Sequence, residues 1–163
     1  MATWLVDVQL LVVITLANGS PILARKLLPA WWNTPIDGDK TWRDGYPILG
    51  ASKTWRGMAC GILGGMVGSL FFGWPWQLGM AIGLAAMTGD LVSSFVKRRL
   101  GIPTEGRATG LDQIPESFIP ALIAQSWLGG TLLDAALISL AFMTLEILIS
   151  PWLCKVGWRK HPY

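Results

Sequence analysis

Five apolar stretches divide the chain: about Trp4 to Ala17, Gly57 to Gly73, Trp76 to Val96, Pro115 to Leu128 and Leu132 to Leu153. A helix needs about 20 apolar residues to cross a bilayer, so the first and fourth are the short ones. The pattern predicts an all-α polytopic membrane protein of about five transmembrane helices, a single domain over residues 1–163. Small residues recur at helical spacing within it. Gly57, Gly61 and Gly65 form one row, Gly64 and Gly68 another, and Ala81, Ala85 and Gly89 a third. Such rows let helix backbones approach closely, which predicts tight packing of the second and third spans.

Composition agrees with a membrane class. The chain is 52% hydrophobic and 14% charged, against roughly 25% charged in an ordinary soluble domain. The N-terminus has no basic region followed by a small-residue cleavage site, so it reads as a retained helix rather than a signal peptide. All 13 Lys and Arg fall in the first connection, the third connection and the C-terminal tail. The N-terminus, the FGWPW turn and the GGTLLD turn carry none. Five spans with the N-terminus outside and the C-terminus cytoplasmic place every one of them on the cytoplasmic side. Trp4, Trp55, Trp74, Trp76, Trp127 and Trp152 fall at expected span ends, as an aromatic belt requires.

Orientation alone does not call for acids among those bases. Asp37, Asp39, Asp44, Asp90, Glu105, Asp112 and Glu116 all fall on or near the same face. The sharpest case is Asp90, which stands in an apolar run about two turns before Lys97, Arg98 and Arg99. A carboxylate in a span costs roughly 2.5–3.5 kcal/mol at the bilayer centre on insertion scales and calls for a reason. On a helix Asp90, Ser93, Ser94 and Lys97 share one face. Pairing with Lys97 would shield the charge, but an apolar residue would be cheaper. Asp112 brings a second carboxylate to the same surface. Two carboxylates from separate segments are the usual minimum for holding Mg²⁺ against substrate phosphates. Asp112 also suits an N-cap of the fourth helix, and both uses are compatible.

The first connection leads through Lys53 and Arg56 straight into the second span. A helix N-terminus flanked by Lys and Arg favours a phosphate chain. A positive-inside anchor with Trp55 at the interface explains the same residues equally well. His161 is the single histidine, and Cys60 and Cys154 give no metal-ligand spacing. An enzyme built from this chain therefore works by metal and cationic stabilisation rather than by imidazole chemistry. Phosphoryl or nucleotidyl transfer onto a phosphate fits, because a phosphate monoester is already anionic at neutral pH.

Asn18-Gly19-Ser20-Pro21, Pro35-Ile36-Asp37-Gly38, Asp44-Gly45, Gly50 to Gly57, Gly89-Asp90-Leu91, Ser94 to Arg99 and Leu111-Asp112-Gln113 together resemble the CDP-archaeol synthases. These are CTP:lipid-phosphate cytidylyltransferases related to phosphatidate cytidylyltransferases. The resemblance covers about residues 17 to 118. It implies a five-helix membrane enzyme that joins CTP to an isoprenoid-ether glycerol phosphate, using Mg²⁺ and releasing pyrophosphate. It implies Asp90 and Asp112 as metal-binding acids, and Lys53, Arg56, Lys97 and Arg98 as holders of the triphosphate. Asn18 and Asp44 match polar positions around the nucleotide. With Ser94 on the Asp90 stripe, these complete the expected site, Asp90, Asp112 and Lys97 being the catalytic candidates. The family usually has a second acid three residues after Asp112; here position 115 is Pro and Glu116 stands one place along, the third candidate metal ligand. The expected partners are CTP, a lipid phosphate and membrane lipids, with no nucleic acid, and a homodimer stays open. An ester lipid substrate and a small membrane transporter are the alternatives. A transporter predicts a polar line that continues across the membrane, for which Asp7 and Glu146 are the only candidates.

Overall fold

The computed structural model describes residues 3–28, 32–104, 106 and 108–155; Glu105, Arg107, Arg159, Lys160 and His161 lie outside the described residues. Five helices follow one another: α1 (Thr3–Leu27), α2 (Trp55–Phe71), α3 (Trp76–Arg99), α4 (Gln113–Leu128) and α5 (Leu132–Lys155). Among the described residues there is no strand, only two isolated bridges within the long α1–α2 connection. Three helices are long and apolar enough to cross a membrane: Trp4–Leu27, Trp76–Arg99 and Leu132–Trp152. The 17-residue α2 and 16-residue α4 reach only about 25 Å, short of a hydrocarbon core of about 30 Å.

The first helix departs most from expectation. The apolar run ends at Ala17, yet the helix continues through Pro21 to Leu27. Two polar side chains along this continuation fold back on the turn before them. Asn18 Nδ2 donates to the Ile14 carbonyl at 3.1 Å, and Ser20 Oγ to the Leu16 carbonyl at 2.6 Å. The continuation puts Arg25 and Lys26 in the last turn of α1. The second helix starts where Thr54 caps it, its Oγ1 accepting from the Gly57 N–H at 3.1 Å.

Glycine contacts set the packing, as the small-residue rows predict. One side of α2 turns Gly64 and Gly68 to Leu16, Val13 and Ser20 of α1. The other turns Gly61 and Gly65 to α3, where the facing glycines are Gly79 and Gly83. A Cβ on Gly65 would run into the Gly79 carbonyl. Gly89 makes the same kind of approach to α4, against the Pro115 carbonyl and the Glu116 N–H. That contact sets Asp90 beside the start of α4. The apolar core, Leu10, Val13, Ile14, Leu78, Ile82, Ala121, Ala124, Ala135, Ile138 and Phe142, packs as one cluster that reaches these charges only at Phe142.

Candidate functional site

Consecutive helices run in opposite directions, so the C-terminal ends of α1, α3 and α5 share one end of the bundle with the starts of α2 and α4. All five contribute there to a cavity of about 630 Å³. That volume is in the range of small-molecule sites. Of the residues the sequence singles out, Asn18, Lys53, Arg56, Asp90, Ser94, Lys97, Arg98, Asp112 and Glu116 line it. Asp44 does not.

Two lysine–aspartate pairs organise the cavity. Lys53 Nζ lies 2.7 Å from both carboxylate oxygens of Asp90, joining the α1–α2 connection to α3. Lys97 Nζ pairs with Asp112 Oδ1 at 2.5 Å and donates to the Gly106 carbonyl at 3.1 Å. The partner of Asp90 is therefore Lys53 and not the helical neighbour Lys97. Asp112 does not cap α4 with its side chain. Its Oδ2 accepts from the Ala108 N–H at 3.0 Å instead, closing the turn that precedes the helix.

Arg98 differs from both lysines. It is 3% exposed, yet its Nε and Nη1 meet no hydrogen-bond partner. A buried guanidinium with spare donors on a cavity wall is suited to an anion. Ser94 Oγ, also buried on the wall, is likewise unpartnered. Arg56 is buried and donates to Asn33 Oδ1 at 3.0 Å.

Asn18 has a local task that the sequence does not announce. Pro120 cannot donate to the Glu116 carbonyl one turn earlier in α4. Asn18 Nδ2 donates to that carbonyl at 3.2 Å, tying α1 to α4 across the cavity. Glu116 lines the same cavity as Asp90, Glu146, Lys53 and Asp112. Asp44 lies outside the cavity because Arg99 Nη1 holds its Oδ1 at 2.8 Å, with the Tyr46 N–H on the same oxygen at 3.1 Å. Asp37 is a second organiser of that connection. Its Oδ2 accepts from the Leu49 and Gly50 N–H groups at 2.8 and 2.9 Å, and its Oδ1 from the Asp39 N–H at 3.1 Å. Partial burial pushes the Asp37 carboxyl up, but these N–H groups outweigh it and hold the carboxyl below its ordinary value.

Sequence reasoning does not assign Arg25, Lys26, Asn33, Ser52, Gln113 or Glu146 to the site, yet all six line the cavity. Glu146 carries a readable signal, a carboxylate inside a span. Arg25 and Lys26 become visible only once α1 is carried through Pro21.

A family model for CarS-like CDP-archaeol synthases matches residues 31–75 and 70–154. The chain belongs to that family. A CDP-archaeol synthase of Thermococcus gammatolerans is 34% identical over 160 residues, covering 90% of this chain and 89% of the relative. One from Pyrococcus horikoshii is 37% identical with the same coverage. A solved structure described as an intramembrane enzyme for archaeal membrane lipids biosynthesis superposes with a TM-score of 0.71 at 30% identity, over 88% of this chain and 92% of that one. With three long apolar helices, this makes the chain a membrane protein.

Proposed function

We propose that this CDP-archaeol synthase family member transfers the cytidylyl group of CTP to an isoprenoid-ether glycerol phosphate, giving a CDP-lipid and pyrophosphate. The observation that carries the reading is the cavity in which two lysine–aspartate pairs surround Arg98 and its spare donors. Both substrates and the leaving group are phosphates, and the cavity's cations come from four different segments: α1, the α1–α2 connection, α2 and α3.

In the step itself an oxygen of the lipid phosphate forms a bond to the α-phosphorus of CTP. The bridging bond to the β-phosphate breaks, and its electron pair leaves with pyrophosphate. The nucleophile is already an anion near neutral pH and needs no general base. The lysines and arginines offset the crowding of negative charge, while the cavity fixes the two phosphates in line. Lys53 and Lys97 are well placed for this, because each can exchange its aspartate for a phosphate oxygen without leaving the cavity. Asp44 serves the loop rather than the nucleotide, and Asn18 serves the helix contact.

The carboxylates suit Mg²⁺, which takes oxygen donors and is usually held by one or two carboxylates plus substrate phosphates. Among the described residues no three acids already form a ligand group. Asp90 and Asp112 would hold the ion, with Glu116 as the third donor. Bound there, Mg²⁺ would neutralise charge on the triphosphate.

All five helices span the membrane in this reading, with the N-terminus outside. Lys53 and Arg56, the ends of α1 and α3, and Lys155 then share the cytoplasmic side, where CTP is found. The apolar cluster of Leu10, Ile14, Leu78 and Ile82 counts against the continuous polar line that a transporter needs. The test is incubation of detergent-purified protein with labelled CTP, Mg²⁺ and a panel of ether and ester lipid phosphates. A CDP-lipid should form with the ether substrate and should not form in EDTA. If no lipid phosphate yields product, the reading is wrong.

A further inference from the structure

We propose that Arg99 is a positioning residue that clamps the loop bearing Lys53 onto the helix bearing Asp90. The inference rests on the function proposed above, with Lys53 acting inside the cavity. Three cations end α3, but they do not point the same way. Lys97 and Arg98 line the cavity; Arg99 does not. Its guanidinium instead grips the α1–α2 connection. Nη1 donates to Asp44 Oδ1 at 2.8 Å, and Nη2 donates to the Pro47 carbonyl at 2.5 Å. The same group lies 5.1 Å from the centre of the Phe95 ring and 5.9 Å from that of Trp42. Those two rings meet edge to face with centroids 5.5 Å apart. A planar fork that hydrogen-bonds at its tip while lying over aromatic rings is a task for arginine and not for lysine.

What Arg99 holds is already a formed unit. Trp42 donates its N–H to the Tyr46 carbonyl at 2.8 Å, and Ile48 to the Lys40 carbonyl at 3.0 Å. From this hairpin to Lys53 the backbone has few loose joints. Asp37 holds the N–H groups of Leu49 and Gly50, and the Ile36 N–H donates to the Lys53 carbonyl at 2.8 Å. Lys53 then returns to α3 through Asp90. The circuit begins and ends on one helix, closed by Arg99 at one point and by the Lys53–Asp90 pair at the other. Releasing Arg99 frees the hairpin, and the Lys53 ammonium loses its fixed distance from Asp90 and from the phosphates it would meet.

The experiment is a double-mutant cycle on the detergent-purified full chain, with CTP and the ether lipid phosphate as substrates. Arg99→Ala is expected to raise the KM for CTP about tenfold, the size expected for losing a charge-assisted network. Arg99→Lys should recover only part of that. In a Lys53→Ala background the Arg99→Ala change should add almost nothing, because the clamp acts through Lys53. Multiplicative effects, or an unchanged KM in Arg99→Ala beside an active wild type, overturn the clamp and leave the activity standing. A second readout does not depend on catalysis. Trypsin cleavage after Lys40 and Arg43 should quicken in Arg99→Gln and in Asp44→Asn, which breaks the grip from the loop side and leaves α3 intact. Unchanged cleavage in both variants also overturns the proposal.

Discussion

The two ends of the bundle solve the problem of polar groups in opposite ways. At the end joined by the α4–α5 turn, the hydrogen bonds of Asp134 stay with near neighbours in sequence, while Gln9, Ser69 and Gln125 keep buried polar atoms without a partner. Asp134 Oδ2 accepts from the N–H and Oγ1 of Thr131 at 2.7 and 2.8 Å, a reciprocal cap on the first turn of α5. At the other end the partners are far apart: Lys53 with Asp90, Arg99 with Asp44, Asn18 with the Glu116 carbonyl. A local cap stabilises one helix and can do little else. Pairs drawn from separate elements bring several segments to one cavity, and in the proposed reaction their cations would exchange carboxylates for substrate phosphates. The contrast assigns chemistry to one end and stability to the other, and each assignment can be broken by mutation.

The largest effect should come from Asp90→Asn. The substitution keeps the size of the side chain but removes the charge that orients Lys53 and suits Mg²⁺. CDP-lipid formation should fall by about 100-fold or more, the scale seen when one preorganised electrostatic group is lost. Thermal unfolding in detergent should change little, since the pair is only partly buried. Activity within tenfold of wild type would remove Asp90 from the site.

Much of this contrast is legible in the chain. Apolar runs and the clustering of Lys and Arg yield the five helices and the charged end, and the cost of a carboxylate in a span singles out Asp90. The glycine rows foretell close packing, and Gly79 and Gly83 join them as the glycines of α3 that meet α2. Pairing is what the sequence leaves open. Helical periodicity favours Asp90 with Lys97, one face of one helix, whereas a residue 37 positions away takes the carboxylate. Nothing local marks Lys53 as that residue, because its reach depends on how the loop is held by Asp37 and Arg99. The length of α1 is equally hard to read: Pro21 looks like a stop, yet the helix runs on to Leu27. Asp44 looks like a site residue by composition and is drawn away by Arg99.

A middle-sized effect tests whether packing and chemistry meet at Gly89. A side chain there would run into backbone of α4, at the Pro115 carbonyl and the Glu116 N–H, and backbone cannot turn aside as a flexible side chain can. Gly89→Val should destabilise the protein by about 1–3 kcal/mol through overpacking. It should also lower activity beyond what the lost folded fraction explains, by moving Asp90 relative to Asp112. The check is activity measured per folded molecule, well below the melting temperature. Full activity at that temperature would mean that the two carboxylates need not be held in register.

The smallest effect should come from the opposite end, and there the sign of the comparison reverses. Asp134→Ala removes the acceptor for Thr131 and leaves two donors at the start of α5 to be satisfied by water. Loss of a cap of this kind costs about 1 kcal/mol, which a modest fall in melting temperature would register. Catalysis should not follow it. Asp134 lies outside the cavity and its hydrogen bonds stay within the first turn. The KM for CTP and the turnover of the folded fraction should therefore match wild type. A shift in either would show that this end of α5 communicates with the site along the helix that carries Glu146, and the division between the two ends would have to be redrawn.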